Sequence, residues 1–91
     1  MFATNNMIRI NNRRYIVGNS GISTEITENG YIYYLVYSFE YRARYSYSIF
    51  KEPFITAFIE VREDIVTNEE KVLSEYGLTE NIAELKKQYC L

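Results

Sequence analysis

From Tyr31 to Ile49 every odd position is apolar or aromatic: Tyr31, Tyr33, Leu35, Tyr37, Phe39, Tyr41, Ala43, Tyr45, Tyr47 and Ile49. The even positions from 38 to 48 are Ser38, Glu40, Arg42, Arg44, Ser46 and Ser48. A repeat of two with no phase slip is that of a strand with one face turned away from water. Twenty extended residues would reach ~66 Å, whereas a compact chain of this length has a radius of gyration of about 12 Å. The run 31–50 must therefore bend, fold back or protrude. A long strand bent near 40–44 keeps the phase. A hairpin looped at Tyr41-Arg42-Ala43 would also keep it, setting Phe39 against Tyr45 and Tyr37 against Tyr47. That loop has no glycine, asparagine or proline to shape it, so the bent strand is preferred.

Shorter alternating runs precede it. Residues 7–10 and 13–17 flank Asn11-Asn12, and asparagine tolerates the left-handed backbone of a two-residue hairpin turn. Residues 22–28 alternate and lead into Asn29-Gly30, the strongest hairpin signal in the chain. A two-residue loop there pairs Glu28 with Tyr31, Ile26 with Tyr33, Thr24 with Leu35 and Ile22 with Tyr37. Gly18-Asn19-Ser20-Gly21 between these runs reads as a plain turn. A phosphate-binding nest or a GXXG nucleic-acid clamp would need a helix beside it, and both flanks are strand-like. Residues 54–62 after Pro53 fit a strand with Ile55, Ala57, Ile59 and Val61 on one face; a helix with Phe54, Phe58 and Val61 in line is the weaker fit, given the β-branched content.

The C-terminal third reads as helical. Thr67 with Glu70 forms a capping-box pattern and Gly77 a stop. Thr79 then caps a second helix carrying Leu78, Ile82, Leu85 and Tyr89 as its apolar stripe, with Lys86 and Lys87 near its end. The expected fold is α+β: an antiparallel sheet of about four or five strands, containing the long bent strand within 31–50, followed by a two-helix hairpin. Residues 1–6 are expected to fray, with 7–91 forming one domain.

Composition narrows the chemistry. The 91 residues include no histidine and one cysteine, Cys90, which excludes histidine triads, His/Cys zinc sites and disulfide scaffolds. Apolar runs of about seven to nine residues are too short to span a membrane. The opening residues lack a signal peptide's charged and apolar regions, so an intracellular, cytoplasmic protein is expected. Net charge is −2, but residues 1–51 carry +3 and residues 52–91 carry −5. This reads as two differently charged faces. No P-loop, dinucleotide fingerprint or nucleophile elbow is present. The carboxylates Glu60, Glu63, Asp64, Glu69 and Glu70 read as a solvated acidic rim. A helix-turn-helix reading of 68–90 fails because Glu80 and Glu84 would meet phosphate.

The tyrosine-rich face is therefore the feature to explain. Ten tyrosines exceed what a small domain readily buries, and tyrosine suits half-exposed interfaces. The expectation is a non-enzymatic accessory protein with no cofactor or metal. It binds a protein partner or a second copy of itself through Tyr37, Tyr41, Tyr45 and Tyr47. The alternative is a single-stranded nucleic-acid binder using Arg9, Arg13, Arg14, Arg42 and Arg44, with tyrosines stacking bases. The 11 isoleucines, 10 tyrosines and 8 asparagines suit an AT-rich genome such as that of a virus or mobile element.

Overall fold

The structure, a computed structural model, describes residues 2–3, 7–43 and 51–91. In chain order the elements are β1 (Phe2–Ala3), β2 (Met7–Ile10), β3 (Arg13–Ile16), β4 (Ile26–Glu28), β5 (Tyr31–Ala43), β6 (Lys51–Asp64), β7 (Glu70–Gly77) and α1 (Thr79–Tyr89). All strand pairings are antiparallel. The main sheet runs β4–β5–β6–β7, with the short β1 pairing β6 beyond the end of β7. A separate β2–β3 hairpin covers one face, and α1 covers the other.

Both small hairpins follow from turn chemistry. Asn11 (φ 50°) and Asn12 (φ 64°) occupy the two left-handed positions of a turn that sets Ile10 opposite Arg13. Asn29 (φ 51°) and Gly30 (φ 85°) do the same between Glu28 and Tyr31. This double left-handed turn matches the natural twist of the strands it joins. The expected pairing holds from Glu28 to Ile26 and then slips. Thr24 turns towards β3, exchanging bonds with Ile16 at 3.0 Å, and Ile22 bridges to Val36 instead of Tyr37. Gly18–Gly21 is a turn that opens no helix, with the Tyr89 hydroxyl of α1 against Gly21, and the Gly18 amide is taken by the Tyr37 hydroxyl at 2.9 Å.

The long alternating run resolves as β5 paired with β6. Tyr37 faces Phe58 and Phe39 faces Ile55, so Tyr41, Arg42 and Ala43 continue the strand and do not form a loop. Residues 44–50 lie outside the described residues. The molecule measures 50 × 24 × 19 Å, drawn out along this ribbon. Odd residues of β5 face the β2–β3 hairpin, where Tyr33, Leu35 and Tyr37 pack with Ile10, Tyr15, Val17, Ile55 and Phe58. Val36 on the opposite face packs with Ala57, Ile59, Val61 and Leu85 of the helix. Burying Leu85 fully contributes about 1.5–3 kcal/mol.

Residues 54–62 are strand, but Ile55 does not share a face with Ala57, Ile59 and Val61. Thr56 is an extra residue opposite the Ser38/Phe39 step, its hydroxyl 2.7 Å from that of Ser38. The resulting bulge turns Ile55 to the hairpin side.

The expected two-helix hairpin is absent: among the described residues the protein is mostly β, with one helix. Residues 70–77 form β7, which pairs with β6 from Glu63 to Ala57. Two features imitated a helix. Leu73 is a bulge residue opposite the Glu60/Val61 step. Val72 packs on the helix side, while the extra residue puts Leu73 and Ser74 both on the hairpin side, which breaks the period of two that a strand would show. The capping-box residues instead shape the turn into β7. The Asp64 carboxylate accepts from the Val66 and Thr67 amides, and the Thr67 hydroxyl from Glu69.

Gly77, with φ 124°, leaves the sheet against β6: a Cβ there would lie 2.6 Å from the Ala57 Cβ and 2.8 Å from the Thr56 carbonyl oxygen. The helix starts one residue before the expected cap, since Leu78 is the N-cap and contributes no side-chain bond. Cys90 ends it in the left-handed conformation. The stripe of Ile82, Leu85 and Tyr89 packs on the sheet as expected, while Leu78 stays exposed.

Candidate functional site

An aromatic ladder runs along the hairpin side of β5 from core to solvent. Tyr37 is 2% exposed, and its ring lies 6.1 Å from that of Phe39. Phe39 meets Tyr41 edge-on at 5.5 Å, and Tyr41 is 52% exposed. Edge-to-face contacts of this kind add about 0.5–1.5 kcal/mol to the burial of the rings. Tyr76 of β7 stacks on Phe58 at 4.8 Å and keeps 40% of its surface in solvent. Phe58 pairs with Tyr37, so Tyr76 widens the same face. The hairpin side of the sheet thus carries Phe39 and Tyr41 along β5 and Tyr76 separately on β7.

Of the four tyrosines expected at an interface, Tyr37 belongs to the core and Tyr41 to the open surface. Tyr45 and Tyr47 lie outside the described residues. Phe39 and Tyr76 escaped the sequence reading. Phe39 stood on the right face of the run, but Tyr76 had been placed in a helix.

A second constellation lies under the hairpin. Glu60, expected in a solvated rim, is fully buried at the centre of β6. Its carboxylate accepts from the Tyr15 hydroxyl, from Asn11 Nδ2 at 2.6 Å and from Arg13 Nη1 at 3.4 Å. Asn11 also donates to the Ser74 hydroxyl at 3.0 Å. The Arg13 guanidinium lies 3.7 Å from the centre of the Tyr33 ring. Burial lowers the Arg13 pKa, but the facing charge of Glu60 and the neighbouring phenols carry the net shift upward. Burial, followed by the hydrogen bond to Glu60 and then its charge, holds the Tyr15 phenol protonated well above the ordinary tyrosine range.

A phenol, a carboxylate and a guanidinium could in principle move a proton. With Tyr15 and Glu60 both at 0% exposure, no solute reaches them in this conformation. What the cluster does is tie hairpin to sheet: three residues of β2–β3 and its turn converge on one atom group of β6. The local spacing of Glu60 gave no sign of partners 45 to 49 residues away.

Among the described side chains, the expected arginines do not form one surface. Arg13 points inward to Glu60. Arg9 and Arg14 sit directly opposite each other on the outer face of the hairpin, both exposed, next to the Met7–Ile16 pair. Arg42 stands on β5 opposite Glu52, and Arg44 lies outside the described residues. Among the described residues no cluster of three metal-ligating side chains forms, and no helix is long and apolar enough to cross a membrane.

Comparisons with protein-family models, curated proteins and solved structures return no match.

Proposed function

We propose that this chain is a small non-enzymatic accessory protein of viral or mobile-element type that acts by protein–protein binding. Its binding face is the aromatic side of the β5–β6 ribbon, and its first partner is a second copy of itself. The observation carrying this reading is Tyr41, half exposed at the end of a ring ladder rooted in the core, with the half-exposed Tyr76 further along the same face of the sheet, two strands away. Rings already held by their neighbours lose little further conformational freedom on docking, which suits aromatic anchors to interfaces. A two-fold pairing would let each ladder cover the other.

Sedimentation velocity at high micromolar concentration tests this. At ~0.5 M salt, where charged contacts are screened, the wild type is expected to dimerise and Tyr41→Ser/Tyr76→Ser to sediment as a folded monomer. A wild type that stays strictly monomeric overturns the self-association. The single-stranded nucleic-acid reading has less support. Arg13 is committed to Glu60, and the exposed Arg9 and Arg14 have Met7 and Ile16 beside them where base stacking would call for aromatic rings.

A further inference from the structure

The outer face of the β2–β3 hairpin is unusual for a solvated surface. Its four outward positions form two cross-strand pairs, Met7 opposite Ile16 and Arg9 opposite Arg14. Met7 is 46% and Ile16 48% exposed. Like charges directly opposite on neighbouring strands repel. Among the described residues neither arginine has a hydrogen bond or ion pair to offset this.

A surface of opposite character lies at the far end of the sheet. The turn after β6 exposes Ile65 at 45% and Val66 at 88%. It abuts the Asn29-Gly30 turn, where the Ile65 amide donates to the Gly30 carbonyl at 3.1 Å. Glu69 in the first turn and Glu28 beside the second are exposed, and neither side chain is bonded to another described residue. Two apolar side chains with two free carboxylates thus answer two apolar side chains with two free guanidiniums. They lie on separate parts of one molecule, and the hairpin's outer face points away from the sheet, so the match is not made within the chain.

We infer that the outer face of the β2–β3 hairpin docks the acidic, apolar end of the sheet of a second copy of this chain. Arg9 and Arg14 meet Glu28 and Glu69, while Met7 and Ile16 meet Ile65 and Val66. The contact shares no residue with the aromatic ribbon. Apolar neighbours exclude water from the charge pairs and strengthen them, and opposed potentials set the register of docking.

The test is a charge swap in the Tyr41→Ser/Tyr76→Ser background, which removes the ribbon's contribution. One variant adds Arg9→Glu/Arg14→Glu and the other Glu28→Lys/Glu69→Lys, with folding checked by circular dichroism. All four positions are exposed and unbonded, so both variants should fold. In sedimentation at ~50 mM salt each variant alone should lose self-affinity at least ~10-fold relative to the parent. An equimolar mixture should recover it, because each reversed face then meets its complement. Raising the salt to ~0.5 M should weaken both the parent and the mixture. Variants that associate like the parent, or a mixture with no species heavier than its components, overturn the proposal. So does salt-sensitive binding of an oligonucleotide lost in Arg9→Glu/Arg14→Glu without association of the mixture, which assigns the face to phosphate.

Discussion

The buried Glu60 cluster makes the sharpest claim about stability. Removing the charge in Glu60→Gln keeps an oxygen for the Tyr15 hydroxyl but leaves the Arg13 guanidinium without its counter-charge. It also turns an amide N–H towards the Asn11 donor, since Tyr15 and Arg13 share the other oxygen. Breaking a buried ion pair from one side costs about 3–5 kcal/mol. Arg13 retains 19% exposure and recovers some hydration, so the lower end, about 3 kcal/mol, applies. Tyr15→Phe deletes a single bond to a charged acceptor, worth about 1.5–3 kcal/mol. A domain of this size has only about 5–15 kcal/mol in all. With a urea m-value of about 1.5 kcal/mol/M, Glu60→Gln should lower the unfolding midpoint by about 2 M. Circular dichroism on the two single variants and the double variant completes a cycle, whose coupling should be about 1–2 kcal/mol. A midpoint shift below about 0.5 M, or strictly additive single effects, would show that the cluster does not hold hairpin to sheet.

Three further outcomes follow from the same geometry. Asn12→Gly keeps the left-handed turn and should change stability by a few tenths of a kcal/mol, whereas Asn11→Gly also loses the bond to Glu60 and should cost about 1–2 kcal/mol; equal effects in urea titrations would contradict the double role of Asn11. Gly77→Ala forces a Cβ into Ala57 at a backbone angle L-residues avoid, and should cost at least about 2 kcal/mol; a wild-type thermal midpoint would refute the close approach of β7 to β6. Alkaline stability should fall as well. The Tyr15 phenol has a folded pKa above its unfolded one, so its contribution is whole below about pH 10 and declines as pH climbs towards the folded value. The slope is at most about 1.4 kcal/mol per pH unit, and it should flatten in Tyr15→Phe.

What could be seen in the chain beforehand was local. Asn11-Asn12 and Asn29-Gly30 announced their hairpins because few residues accept two consecutive left-handed positions. The phase of β5 was visible because burial on a strand repeats every two residues. The helix was visible because Ile82, Leu85 and Tyr89 recur at helical spacing. The misreadings all involve information from elsewhere in the fold. A bulge is an insertion relative to the partner strand, so Thr56 and Leu73 make sense only once β5, β6 and β7 are side by side. The Thr67/Glu70 pattern serves a strand-to-strand turn as well as a helix start, and the neighbouring β6 decides between them. Glu60 looked like a surface carboxylate because its three donors arrive from the other end of the chain. The proposed binding face was half legible: Tyr41 stood out, whereas Tyr76 became visible only as a strand residue stacked on Phe58.

The bulge at Thr56 sets the heading of the arm beyond it, the paired segments 39–43 and 51–55. Because Thr56 is supernumerary, excising it would leave every pairing on either side intact: Ala57 would still oppose Ser38, and Ile55 would still oppose Phe39. The lost kink, however, would straighten β6 and swing the distal ribbon to a new heading. A single-codon deletion at that point would thus redirect the arm's reach while sparing the body that holds it, making orientation a trait that can vary separately from stability.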